Sequence, residues 1–163
     1  MYLTVILSYS LNNSMTRDIL HAVEIHADPT TLYDAIATQR GQTAFWTTDA
    51  TVEPSVGSVA SFGFPGTPDR MKMRIQRLEP GRLVEWACEG DYPGWTGTRL
   101  TWELRPTPNA GETSLMFRHV GFSDDYGDEQ QAHVNWVWGQ IVGRLKGYAE
   151  TGRPQPFFEA VRT

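Results

Sequence analysis

One cysteine, Cys88, stands among 163 residues. An internal disulfide is excluded, and a cytoplasmic setting is the expectation that follows from thiol usage. Lysine and arginine number 14 against 19 acidic residues, for a net charge of -5, and the basic residues are spread along the chain. A nucleic-acid partner needs a clustered basic face, so none is expected. No stretch approaches the ~20 consecutive apolar residues of a membrane-spanning helix. A glycine-rich phosphate loop, HExxH and CxxC are all missing. Neither a metal nor a cofactor is therefore expected. Internal repeats, linkers and low-complexity tracts are lacking as well.

The first fourteen residues, MYLTVILSYSLNNS, are mildly apolar but have no basic region and no small-residue cleavage site, which makes a poor signal peptide. Met15 follows and opens a segment that reads like a first strand. The expected division is a dispensable extension over 1–14 and one domain over 15–163, a length that suits a single domain. A domain of this size buries roughly 68–70% of the surface of its unfolded chain and needs no covalent staples.

What the chain has in abundance is aromatic side chains: six tryptophans, six tyrosines and seven phenylalanines. Each ring can bury about 150–250 Å². They fall in segments with clear periods. Residues 19–25 read as a strand. Asp28 and Pro29 form a helix N-cap and first helical position, and Leu32, Ala35 and Ile36 share a face of a helix ending near Thr38. A short second helix, 39–45, brings in Trp46. A short strand near 51–53 is followed by strands at 58–64, 69–78, 83–89, 99–105 and 113–120. Their inward residues alternate: Met71, Met73 and Ile75; then Val84, Trp86 and Cys88; then Leu100, Trp102 and Leu104; then Leu115, Phe117 and His119. Such alternation means an antiparallel sheet with one wet face. A helix over 128–151 carries Val134, Val137, Trp138, Ile141, Leu145 and Tyr148 on one stripe, with Gly152 and Pro154 to stop it. The tail at Pro156, Phe157 and Phe158 is expected to fold back. The class is α+β: about six to seven antiparallel strands curved around a long C-terminal helix, with two short helices after the first strand. A helix of 24 residues is about 36 Å long and leaves part of a concave sheet uncovered, so a cavity is a consequence of the architecture.

The residues expected to line that cavity are Trp46, Phe62, Phe64, Met71, Met73, Trp86, Trp95, Trp102, Phe117, His119 and Trp138. For any one of them plain core packing competes with a lining role; as a set, with adaptable methionines, they suit a partly hollow interior. Tyr92 and Trp95 lie in a loop punctuated by glycine and proline, where a cavity mouth is expected. His119 shares its face with Leu115 and Phe117 and is the one candidate acid or base, weighed against a core histidine held by a neighbour. Gly139, Gly143 and Gly147, with Trp136 beside them, lie opposite the apolar stripe of the last helix. The face of Trp136, Gly139 and Gly143 is a candidate homodimer contact.

Residues 137–158, VWGQIVGRLKGYAETGRPQPFF, resemble the closing helix of the START-like superfamily, the polyketide cyclase/dehydrase and lipid transport (SRPBCC) group. The nearest branch is that of the activator of the heat-shock-protein-ninety ATPase. Trp138, Leu145, Lys146, Tyr148, Glu150, Thr151, Gly152 and the PFF tail carry the likeness, together with HAVEIHADPTTLYDAIAT at 21–38 and Phe45, Trp46 and Thr47. The resemblance spans about residues 18–158. It implies a helix-grip fold and a small apolar or aromatic ligand held between sheet and helix. A cyclase- or aromatase-type enzyme using the same cavity and a chaperone-associated interaction module are the other readings it admits, since fold alone does not fix function.

Overall fold

Asp28 begins the first helix by accepting hydrogen bonds from the Thr30 and Thr31 amides at 3.0 and 2.9 Å, with Pro29 in the first turn. The structure, a computed structural model, describes residues 17–159. The extension expected over 1–14 lies outside them. β1 (Ile19–Ile25) leads into α1 (Pro29–Ala37) and α2 (Gln39–Phe45). Thr38 closes α1 and caps α2, accepting from the Gly41 amide at 3.2 Å. A Cβ at Gly41 would stand 1.9 Å from the Ala35 carbonyl oxygen, so the abrupt turn between the helices requires glycine.

The strands then follow as β2 (Ala50–Thr51), β3 (Val59–Gly63), β4 (Arg70–Glu79), β5 (Leu83–Glu89), β6 (Arg99–Pro106) and β7 (Thr113–Val120), and α3 (Asp128–Thr151) ends the fold. The sheet has seven strands, one at the top of the expected range, in the order β1-β7-β6-β5-β4-β3-β2, all antiparallel. Hairpins join every neighbour from β2 to β7. β1 instead pairs with the last strand, Ile19 opposite His119 and Ile25 opposite Thr113. A bulge between Ile75 and Arg77 adds to the bend of β4 against β5.

The convex face is wet and charged. Arg74 grips Glu89 at 2.7 and 3.0 Å, and Glu103 lies between Arg105 and Arg118 at 2.6 and 2.9 Å. Such exposed pairs contribute about 0–1 kcal/mol each and chiefly keep this face in water. The concave face takes α3, which buries Trp138, Ile141, Val142 and Leu145. Gln130 accepts from the Gly127 amide at the start of α3, and Gly152, at φ +70°, donates its amide to the Tyr148 carbonyl at 2.8 Å at its end. Lys146 Nζ donates to the Glu24 carbonyl and to Glu150, both at 2.6 Å, and Glu150 accepts from the His26 amide at 2.9 Å. These contacts lock the second half of α3 onto β1, and the Lys146 ammonium holds the Glu150 carboxyl below the usual range.

Trp86, Trp102, Phe117 and Trp138 share one interior, as the alternation predicts. Phe62 and Trp86 approach at 5.7 Å between ring centres, Trp86 and Trp102 at 6.3 Å, and Trp102 and Phe117 at 4.5 Å. These side chains are fully buried and in ring contact with one another. The tail returns as foreseen: the Gln155, Phe157 and Phe158 amides donate to the carbonyls of Ala44, Phe45 and Trp46 at 2.8, 3.1 and 2.8 Å.

Candidate functional site

A cavity of about 350 Å³ lies between α3, the turn after β3, the loop between β5 and β6, and the C-terminal tail. Its floor is Trp46, at the C-cap of α2, and Trp138 of α3. One side is Phe64 with Thr67 and Asp69, from the turn between β3 and β4. A second side is the loop between β5 and β6, through Tyr92, Pro93 and Trp95. α3 supplies His133, Val134, Val137 and Ile141, and Tyr126 and Phe158 close the rim.

The loop over residues 90–97 owes its shape to glycine. Gly90, Gly94 and Gly97 have φ of +83°, +76° and +84°, which side-chain-bearing residues rarely adopt. At Gly94 a Cβ would also meet Tyr126 Cε2 at 2.4 Å. Tyr126 thus lies across the loop, and its hydroxyl accepts from Trp95 Nε1 at 3.4 Å. Five rings form a closed circuit around the void. Ring centres are 6.0 Å apart for Trp138 and Trp95, 5.5 Å for Trp95 and Tyr92, and 6.1 Å for Tyr92 and Phe64. The circuit closes at 6.0 Å from Phe64 to Trp46 and 5.0 Å from Trp46 to Trp138. Phe158 packs on Phe64 at 5.0 Å and shares the cavity wall. Burial, with the nearby Tyr126 and Asp69, raises the Tyr92 phenol above its ordinary value.

His119 lies behind this wall, fully enclosed. The Trp138 indole Nε1 donates to His119 Nδ1 at 3.1 Å, so Nδ1 is unprotonated. Nε2 then carries the proton and donates to Thr98 Oγ1 at 2.9 Å, and Thr98 in turn donates to the Trp95 carbonyl at 2.6 Å. Burial pushes the imidazole down to about 3, so it is neutral at any physiological pH. The relay ties two walls of the cavity together, the Trp138 ring and the Trp95 backbone. Both ring nitrogens are occupied by it. Cys88 is buried nearby, its thiol pushed up to about 11 by desolvation.

Of the eleven residues expected to line a cavity, four stand on its wall: Trp46, Phe64, Trp95 and Trp138. The other seven, Phe62, Met71, Met73, Trp86, Trp102, Phe117 and His119, are buried in the core and do not line the cavity. Tyr92 takes its place beside Trp95 at the mouth. Val134, Val137 and Ile141 are on the expected apolar stripe but face the void. Asp69, Thr67, Tyr126, His133 and Phe158 were not among the site candidates. Tyr126 carries the same signal as Trp95, an aromatic ring in a glycine-bounded loop. Asp69 carries no signal in the sequence.

A family model, described as activator of Hsp90 ATPase homolog 1-like protein, matches residues 26–150. The chain belongs to this Aha1-like family. Within it, the fold is that of the START-like superfamily. No curated protein matches the sequence. Among solved structures, the Aha1 dimer of Colwellia psychrerythraea is similar at 29% identity and a TM-score of 0.72, over 83% of this chain and 97% of that one. DynU16, a protein of the dynemicin biosynthetic locus, shares 20% identity at a TM-score of 0.70 over 88% of this chain and 51% of its own. CalU16 of Micromonospora echinospora shares 17% at 0.64, over 85% and 77%. These last two share the fold.

In this Aha1-like domain the glycines of α3 are not equivalent. A Cβ at Gly139 would stand 3.4 Å from His21 Cε1, so Gly139 faces β1 of its own chain, whereas Gly143 and Gly147 have open space. Trp136 is 58% exposed, its ring 6.3 Å from that of Phe157. Among the described residues no helix is long and apolar enough to cross a membrane, and no group of histidine, cysteine and acidic side chains is placed to hold a metal ion.

Proposed function

We propose that this Aha1-like protein binds a small apolar or aromatic molecule in the cavity bounded by Trp46, Phe64, Tyr92, Trp95, Trp138 and Phe158. The observation that carries the reading is the circuit of rings in mutual contact on the wall of a cavity of about 350 Å³. A ligand burying roughly 250 Å² of apolar surface there would gain on the order of 6 kcal/mol before ordering costs. The test is titration with the neutral fluorophore N-phenyl-1-naphthylamine, followed by displacement with a panel of aromatics and fatty acids. Saturable binding that is lost in Val137→Trp, which fills the void, supports the reading. Absence of binding by the folded protein refutes it.

A cyclase- or aromatase-type reaction in the same cavity would draw on Asp69, Tyr92, Tyr126 or His133, the polar groups on its wall. Kinship with the dimeric Aha1 of Colwellia psychrerythraea supports self-association, for which we infer a contact through exposed Trp136 and open Gly143, with Gly139 already packed against His21. Size-exclusion chromatography of Trp136→Ser against the parent chain tests it; an unchanged dimer in the variant counts against this face.

A further inference from the structure

The ring circuit and the charge on its rim together name a ligand class. We propose that the cavity is built for an organic cation, a quaternary or tertiary ammonium joined to an apolar body. This rests on the reading of the cavity as a small-molecule site and narrows it.

The circuit contains three indoles, Trp46, Trp95 and Trp138, with the phenol of Tyr92 and the ring of Phe64. Indole and phenol faces present negative potential, and tryptophan attracts a cation most strongly of all side chains. A cage of several such rings holds an alkylammonium group without a conventional hydrogen bond.

The wall carries one carboxylate and one imidazole, that of His133. Asp69 is its carboxylate, and neither lysine nor arginine lines it. The neighbouring cation, Arg70, is turned away: its guanidinium grips Asp49 at 2.7 and 3.0 Å and Ser61 at 2.8 Å. Asp69 by contrast has no ion pair or side-chain hydrogen bond among the described residues. Tyr126 on the rim stands in a segment, residues 124–129, that adds Asp124, Asp125, Asp128 and Glu129, of which Asp128 pairs with Arg17 at 2.6 Å. The whole chain carries a net charge of -5. A cation approaching this mouth therefore meets attraction at long range and the rings at short range. An anionic ligand, a fatty acid or a carboxylated aromatic, would be repelled by Asp69 and find neither lysine nor arginine on the wall, only the imidazole of His133.

The experiment compares two ligands of nearly equal shape, benzyltrimethylammonium and its neutral carbon isostere neopentylbenzene. Each displaces N-phenyl-1-naphthylamine from the full chain at pH 8, where a histidine carries no charge, and low ionic strength. The cation is expected to bind about 10-fold more tightly or better. Asp69→Asn is expected to weaken the cation about 3- to 10-fold and leave the isostere within about twofold, an effect that shrinks in 0.5 M salt. Uniform incorporation of fluorinated tryptophan, which drains the ring faces of charge without changing the fold, is expected to weaken the cation and spare the isostere. If the isostere binds as tightly as the cation, the cation proposal is overturned while apolar binding stands. If neither displaces the fluorophore, both readings fall. A cation preference that Asp69→Asn leaves untouched overturns the assignment of Asp69.

Discussion

Replacing His119 by glutamine should flatten the acid side of the stability curve. The imidazole is neutral and enclosed in the folded chain, with a pKa of about 3 set by burial against an ordinary value of 6.5. The unfolded chain therefore binds a proton that the folded chain refuses between those two values. Since stability rises with pH wherever the unfolded state holds more protons, the contribution is complete above about pH 6.5 and is lost on acidification, at up to ~1.4 kcal/mol per pH unit. Between pH 7 and pH 4.5 the loss from this one group amounts to about 2.5 kcal/mol. Glutamine does not titrate, yet it offers one acceptor and one donor to Trp138 and Thr98. Carboxylates such as Glu103 and Glu150, held low by Arg105 and Lys146, also release stability in acid, but they do so equally in both proteins. The informative quantity is thus the difference between the two proteins. Urea unfolding followed by tryptophan fluorescence at half-unit steps should show the gap between them shifting by about 2.5 kcal/mol in favour of the variant as pH falls. Parallel curves would refute the argument and with it the enclosed, neutral histidine.

Three further outcomes can be checked directly. Gly94→Ala forces a side chain into a left-handed position and against Tyr126, so it should lower stability by about 1–2 kcal/mol, read as a drop in melting temperature, and weaken fluorophore binding. Deleting residues 156–163 removes the Phe158 wall and its amide bond to Trp46; it should cost about 2–4 kcal/mol and raise the probe dissociation constant, measured by the same titration. Removing residues 1–14 should leave the melting temperature unchanged by differential scanning calorimetry, and a large drop would show that the domain depends on them.

Element order, strand faces and both ends of α3 were readable because each rests on a local rule. Period-two alternation placed Leu100, Trp102 and Leu104 inward, and Gly152 marked the helix end. Depth along the concave face has no such rule. Trp102 and Trp138 both point inward, yet of the two only Trp138 stands on the cavity wall, because the wall is assembled from α3, two loops and the tail, which no local period relates. Asp69 and Phe158 reach the wall through chain segments remote from each other, so no spacing could join them. His119 shows a related gap. Alternation turned it inward, but that its two nitrogens would meet an indole on α3 and a threonine before β6 is a tertiary fact.

Where β1 sits in the sheet bears on how the protein is made. It is synthesised first among the strands of the described residues, yet its partner strand begins only at Thr113, and Ile19 faces His119 a hundred residues later. A ribosome adding about 5–20 residues per second would leave β1 without its neighbour for several seconds. During that time Ile19, Val23 and Ile25 have no sheet to cover them, and closing so long a loop makes their docking a late and slow step. Chaperones that hold exposed apolar segments would thus find a target in β1 during that interval, and a destabilised β7 would prolong their occupancy.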